Sequence, residues 1–124
     1  MKILQIEPGR KPEAKEIDSS LEAMQETVGG LIQALYPFED HVALVCNDEG
    51  KLLGLPANWA LRDEDRKPYD ILCGTFFICG APPDSDHFDS LTDEQVEKFE
   101  ALFHQPEMFL KIGGQIIVLP APLE

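Results

Sequence analysis

The feature that most constrains this chain is Ile71-Leu72-Cys73-Gly74-Thr75-Phe76-Phe77-Ile78-Cys79, a stretch that is apolar almost without interruption. Such a run is expected of a strand covered on both faces, so it predicts the central strand of a sheet. No apolar run in the sequence approaches the roughly 20 residues that a membrane span requires.

The flanking sequence supplies partners for that strand. Lys2-Ile3-Leu4-Gln5-Ile6 reads as a short strand, and the punctuated stretch Pro8-Gly9-Arg10-Lys11-Pro12 reads as a loop. From Asp18 to Tyr36, the residues Leu21, Met24, Val28, Leu31, Ile32 and Leu35 recur at helical spacing and predict one helix. Ser19 with Glu22 has the form of a capping box at its start, and Pro37 closes it. Gly29-Gly30 inside such a helix costs about 1 kcal/mol per glycine. The pair is therefore read as permitting close approach of another backbone, or as a break. Close approach is favoured, and it places Phe76 or Phe77, with Ile78, beside Val28 and Leu31.

Val42 to Cys46 is a strand, expected to form a hairpin with Lys51-Leu52-Leu53 across Asn47-Asp48-Glu49-Gly50. Gly54 to Leu61 reads as irregular, Arg62 to Pro68 as an exposed loop and Pro82 to Asp86 as a polar loop. A second helix begins with the capping box of Thr92 and Gln95 and the staple of Leu91 and Val96. It presents Val96, Phe99, Leu102 and Phe103 on one face and ends before Pro106. Gly113-Gly114 joins Met108–Ile112 to Gln115–Leu119 in a hairpin. The expected fold is α+β, a single compact domain spanning 1–124. Its sheet is mixed or antiparallel, with about five or six strands and two helices on one face.

Charge narrows the partners. Ten Lys and Arg stand against 23 Asp and Glu, a net charge of -13, and that field repels nucleic acid and anionic membrane alike. Direct nucleic-acid binding and membrane binding are therefore not expected. The short apolar start is no signal peptide, and Cys46, Cys73 and Cys79 are odd in number without CxxC spacing. Both point to a cytoplasmic protein with buried free thiols. His41, His87 and His104 lack metal-ligand spacing, and no nucleophile elbow, P-loop or dinucleotide fingerprint is present. No catalytic residue, metal or cofactor is assigned.

Three blocks carry a family resemblance. They are Ile17-Asp18-Ser19-Ser20-Leu21 with Val28-Gly29-Gly30 and Tyr36-Pro37, then Asn47 to Pro56 with Asn58, then Tyr69 to Ile78. In that order they resemble the phage and mobile-element family catalogued as domain of unknown function thirty-eight forty-six. The resemblance covers nearly the whole chain. It implies a phage or conjugative element in a bacterial host, and brings no activity with it.

Two candidate sites follow. Between Lys15 and Lys51 the only charged residues are Glu16, Asp18, Glu22, Glu26, Glu39, Asp40, Asp48 and Glu49. A solubilising surface more often intersperses lysines, whereas spaced carboxylates can imitate a phosphate backbone in a basic channel. All eight except Glu16 are the partner-binding candidates, and at least five of the eight are expected to be exposed on one surface. Against this stands a solvated acidic surface with no partner. The other candidate is a pocket at Asn58, Trp59 and Tyr69, where an amide and two aromatic rings could hold a small molecule or nucleotide; ordinary turn and core roles compete with it. The leading reading is a non-enzymatic mobile-element accessory protein. It would bind a basic surface on a host or element protein and inhibit a nucleic-acid-directed defence of the restriction or CRISPR kind. The alternative is a ligand-binding domain or enzyme.

Overall fold

The apolar run is divided between two sheets. Gly74 takes a left-handed conformation, φ +86°, which side chains with a Cβ rarely adopt, and the chain turns there. In the computed structural model, which describes residues 1–122, the elements are β1 (Lys2–Ile6), β2 (Glu13–Glu16), α1 (Leu21–Val28), β3 (Ile32–Leu35), β4 (Val42–Asn47) and β5 (Ala57–Arg62). They continue with β6 (Pro68–Cys73), β7 (Phe76–Gly80), α2 (Asp93–Leu102), β8 (Glu107–Ile112) and β9 (Gln115–Pro120). The second half of the run, β7, is the middle strand of a five-stranded sheet ordered β2-β1-β7-β4-β3, with every neighbouring pair antiparallel. The first half, β6, pairs instead with β5, while among the described residues β8 and β9 pair only with each other.

Every residue of β7 is buried, and strand alternation sends its side chains to both faces. Phe76 and Ile78 join Leu4, Ile6, Val42 and Leu44 on one face, where Leu61, Leu72, Phe99 and Phe103 cover them. Phe77 and Cys79 join Ile3, Ala43 and Val45 on the other, beneath Met24 and Val28 of α1. The fold is α+β as expected, but its helices lie on opposite faces of the sheet, not on one. A strand apolar on both sides needs cover on both, and each helix has a single apolar stripe.

Helix α1 is shorter than its periodicity predicts. Its N-cap is Ser20, whose hydroxyl accepts from the Ala23 N–H, so Ser19 is not the cap. Gly29 ends it at φ +79°, a left-handed C-cap, and β3 follows. Leu31, Ile32 and Leu35 fit a helical stripe, yet Ile32 to Leu35 pair with β4. Phe77 and Val28 do share a core, while Leu31 is 56% exposed. The Gly29-Gly30 pair marks a break, not a close helix–strand approach.

The expected β4 hairpin with Lys51-Leu52-Leu53 does not form: that stretch is a turn with Leu52 and Leu53 exposed, and β4 pairs with β3 and β7. β5 occupies most of the stretch that reads as irregular and takes in Arg62, and β2 follows the expected Pro8–Pro12 loop in residues for which the sequence predicts no element. The second capping box is present in both directions. The Gln95 N–H donates to Thr92 Oγ1 at 3.2 Å and the Thr92 N–H to Gln95 Oε1 at 2.9 Å. The hairpin at Gly113-Gly114 also forms, with Ile112 opposite Gln115.

Candidate functional site

Helix α1 receives the chain from β2 at one edge of the main sheet and delivers it to β3 at the other. Its apolar side, Met24 and Val28, is spent on the sheet, so its other residues face outward. Asp18 precedes the helix, Glu22 lies in its first turn and Glu26 in its last, all exposed. One turn apart on a helix, the Cβ atoms of Glu22 and Glu26 are about 6 Å apart. Asp48 and Glu49 sit in the turn after β4, close to the C-terminal end of that helix. Asn47 Nδ2 donates to the Val28 carbonyl at 3.1 Å, the Asp48 N–H to the Leu31 carbonyl at 2.8 Å, and the Glu49 N–H to Asn47 Oδ1 at 2.8 Å. Buried Asn47 thus ties the acidic turn to the end of α1.

The loop after β7, which carries Asp84, Asp86 and Asp89, approaches this face. Ser19, Met24, Asp86, His87 and Phe88 line one depression, which brings the 82–89 loop against the start of α1. Neither α1 nor that loop contains a lysine or arginine. Among the described residues, Asp18, Glu22, Glu26, Asp48 and Glu49 form no ion pair.

The remaining acids are placed differently. Seven of the eight from Glu16 to Glu49 are exposed and Asp40 is half-buried. Glu16 accepts from the N-terminal ammonium at 3.2 Å. Glu39 and Asp40 sit in the β3–β4 connection, at the opposite end of those strands from Asp48 and Glu49. Lys98 Nζ of α2 donates to both Asp40 oxygens, at 2.6 and 2.8 Å, and this holds the carboxyl below its ordinary range. Of the seven candidate contact acids, Asp18, Glu22 and Glu26 lie on or beside α1, Asp48 and Glu49 sit in the turn held to its C-terminal end and border the cleft on the β5–β6 side, and Glu39 and Asp40 stand apart.

The three residues of the other candidate site are separated. Asn58 is buried, and its Nδ2 donates to the carbonyls of Ile6 and Gly74 at 2.9 and 2.8 Å, pinning β5 to the main sheet and to the β6–β7 turn. Trp59, its neighbour on the strand, packs edge-on against Phe103 with ring centroids 4.7 Å apart. Tyr69 is 61% exposed on β6 and lines a different depression, with Lys51 and Ile116.

Sequence reasoning missed the ion pair of Lys51 with Asp70, which lowers the Asp70 pKa through its hydrogen bond. The pair lines an open cleft of about 420 Å³ together with Asn47, Glu49, Ile71 and Cys73, joining residues of two blocks that carried the family resemblance. The available signal was that both blocks carry the family resemblance, although they share no secondary-structure element. Burial pushes the Cys73 thiol upward and Cys46 up to about 11, which disfavours the thiolate through which a thiol reacts. Among the described residues no cluster of three His, Cys, Asp or Glu is arranged for a metal, and no buried side-chain polar atom lacks a partner.

No helix among the described residues is long and apolar enough to cross a membrane. No curated protein and no solved structure matches the chain. A family does match, over residues 1–104, which take in all three blocks and both helices and stop short of β8 and β9. On that match the chain belongs to the family described as domain of unknown function (DUF3846).

Proposed function

We propose that this protein is a non-enzymatic accessory protein of a mobile element, and that its α1 face occupies a basic groove on a partner protein. The observation that carries the reading is the set of exposed carboxylates of Asp18, Glu22, Glu26, Asp48 and Glu49, which form no ion pair among the described residues; α1 carries no lysine or arginine, and Lys51, beside Glu49, is paired with Asp70. Carboxylates one helical turn apart present charge at a density that a groove built for phosphates accepts, and docking releases the counterions condensed there. The net charge of -13 speeds encounter with a cationic surface. The partner class that fits is an enzyme acting on nucleic acid, with a restriction or CRISPR defence nuclease as the target. A small-molecule pocket at Asn58, Trp59 and Tyr69 has less support, because the Asn58 amide is spent on two backbone carbonyls.

The test uses the immobilised full chain to retain basic proteins from a bacterial lysate at low and high salt, followed by association kinetics with each protein identified. Association is expected to slow about tenfold between low and physiological salt, and to slow similarly in the triple variant Glu22→Lys, Glu26→Lys, Asp48→Lys. A folded triple variant that binds the same protein at an unchanged rate across the salt series removes the electrostatic mechanism.

A further inference from the structure

The main sheet ends differently at its two edges. β2 is the outer strand on one side, and three of its four residues, Glu13, Lys15 and Glu16, are charged. Charges on an edge discourage another strand from pairing there. β3 is the outer strand on the other side, and Ile32, Gln33, Ala34 and Leu35 carry no charge. Its inner edge is taken by β4: the Leu31 carbonyl accepts from the Asp48 N–H at 2.8 Å, and Gln33 and Leu35 stand opposite Cys46 and Leu44. Backbone groups of successive residues in an antiparallel strand face alternate sides, so the N–H and C=O groups of Ile32 and Ala34 point away from β4. Among the described residues no hydrogen bond uses them. Leu31 and Tyr36, at the two ends of the strand, are 56% and 63% exposed.

The open cleft of Lys51 and Asp70 borders this strand. Gln33 and Leu35 line it, whereas Ile32 packs with Met24 and Val28 of α1 on the other face. A strand added to β3 would run about 4.8 Å from it and send every second side chain to the cleft side. There Leu35, Ile71 and Leu72 supply apolar walls, and the carboxylates of Asp48, Glu49 and Asp70 outnumber the ammonium of Lys51. An aliphatic stem that ends in a cation suits such a place. We propose that the outer edge of β3 takes up an extended segment of a partner protein in which Lys or Arg alternates with uncharged residues. The backbone of that segment pairs with Ile32 and Ala34, and its basic side chains enter the cleft. Charge disfavours a second copy as the occupant, because antiparallel pairing of two β3 edges would bring Asp48 of each copy toward Glu39 of the other. The inference goes beyond the α1 reading: it shares the basic character of the partner, but neither Glu22 nor Glu26 takes part.

Amide hydrogen exchange of the full chain, followed by NMR with a blocked octapeptide of alternating valine and lysine as the probe, tests this. The peptide should slow exchange of the Ile32 and Ala34 N–H groups at least about tenfold, since both gain partners. Ala34→Pro removes an outward donor and leaves the β4 side intact, a substitution that edge strands tolerate. It should weaken peptide binding at least about tenfold. The same peptide N-methylated at every residue keeps its charge and loses its donors; it should not bind, and it decides the matter if Ala34→Pro does not fold. Asp48→Asn with Glu49→Gln should lower affinity about threefold by loosening the hold on lysine. Glu22→Lys with Glu26→Lys, which removes binding through α1, should leave the dependence on Ala34 in place, so the two ideas fail separately. Unprotected Ile32 and Ala34 amides, or equal binding of the N-methylated peptide, overturn the proposal. So does protection that appears without peptide as protein concentration rises, which would assign the edge to a second copy.

Discussion

Strand β7 and the β8–β9 ribbon are both strongly apolar, and they meet opposite fates. β7 has hydrogen-bonded neighbours on both edges and cover on both faces, so none of its residues reaches solvent. The ribbon has one packed face, and most of its residues are exposed. The boundary of the family match falls between them, since residues 1–104 include β7 and exclude the ribbon. Apolar composition alone therefore does not place a segment in the core; the number of neighbours that the topology supplies does. The same composition is buried in one place and exposed in the other.

The comparison is sharpest at two phenylalanines. Phe77→Ala should cost about 3 to 5 kcal/mol, because Phe77 is fully buried at the centre of the sheet. Phe109→Ala, half-buried on the ribbon, should cost less than about 1.5 kcal/mol. Urea denaturation of both variants measures the contrast, and equal costs would mean that the ribbon is as integral to the fold as β7.

A smaller effect is expected where α1 gives way to β3. A Cβ at Gly30 would stand 2.9 Å from Asn47 Nδ2, the donor to Val28. Gly30→Leu should then lose about 2 kcal/mol through crowding and disruption of that hydrogen bond. An unchanged melting temperature would show that the Asn47 tie is not needed to hold the acidic turn against α1.

The smallest effect is a pH dependence confined to the sheet interior. Burial raises the Cys79 thiol from 9.0 to about 12. A folded-state pKa above the unfolded value gives stability that is full below the unfolded pKa and is lost as pH rises toward the folded one. Between pH 8 and 10 this thiol should withdraw about 1.4 kcal/mol. Comparing denaturation of the parent with Cys79→Ala at both pH values isolates the contribution, and identical pH dependences would refute it.

The legible parts of the fold were those where local chemistry had one interpretation. The Thr92 and Gln95 box, the Gly113-Gly114 turn and the apolar β4 read correctly because each pattern suits one structure, whereas the run that holds β7 reads as one central strand and is divided at Gly74 between two sheets. β3 was hidden because Ile32 and Leu35 satisfy helical and strand spacing alike, and only Gly29 decides between them. β2 was hidden because Glu-Ala-Lys-Glu is an exposed edge held by backbone pairing with β1, which leaves no apolar alternation to detect. Exposure of the acids was legible from their avoidance of the apolar stripe. Their division was not, since the separation of Glu39 and Asp40 from the α1 face depends on the pairing of β3 with β4 and on Lys98 from a distant helix.

The position of β7 also sets an order of events during synthesis. It is the last of the five main-sheet strands in the sequence, yet it lies between β1 and β4. The local pairs β1–β2 and β3–β4 can form as they emerge from the ribosome, but each keeps an unpaired apolar edge until residue 80 has been made. At about 5 to 20 residues per second, the first pair waits several seconds for the strand that joins it to the second. Over that interval the nascent chain keeps apolar strand edges unpaired, and a pause in translation before β7 would prolong that exposure more than one placed after it.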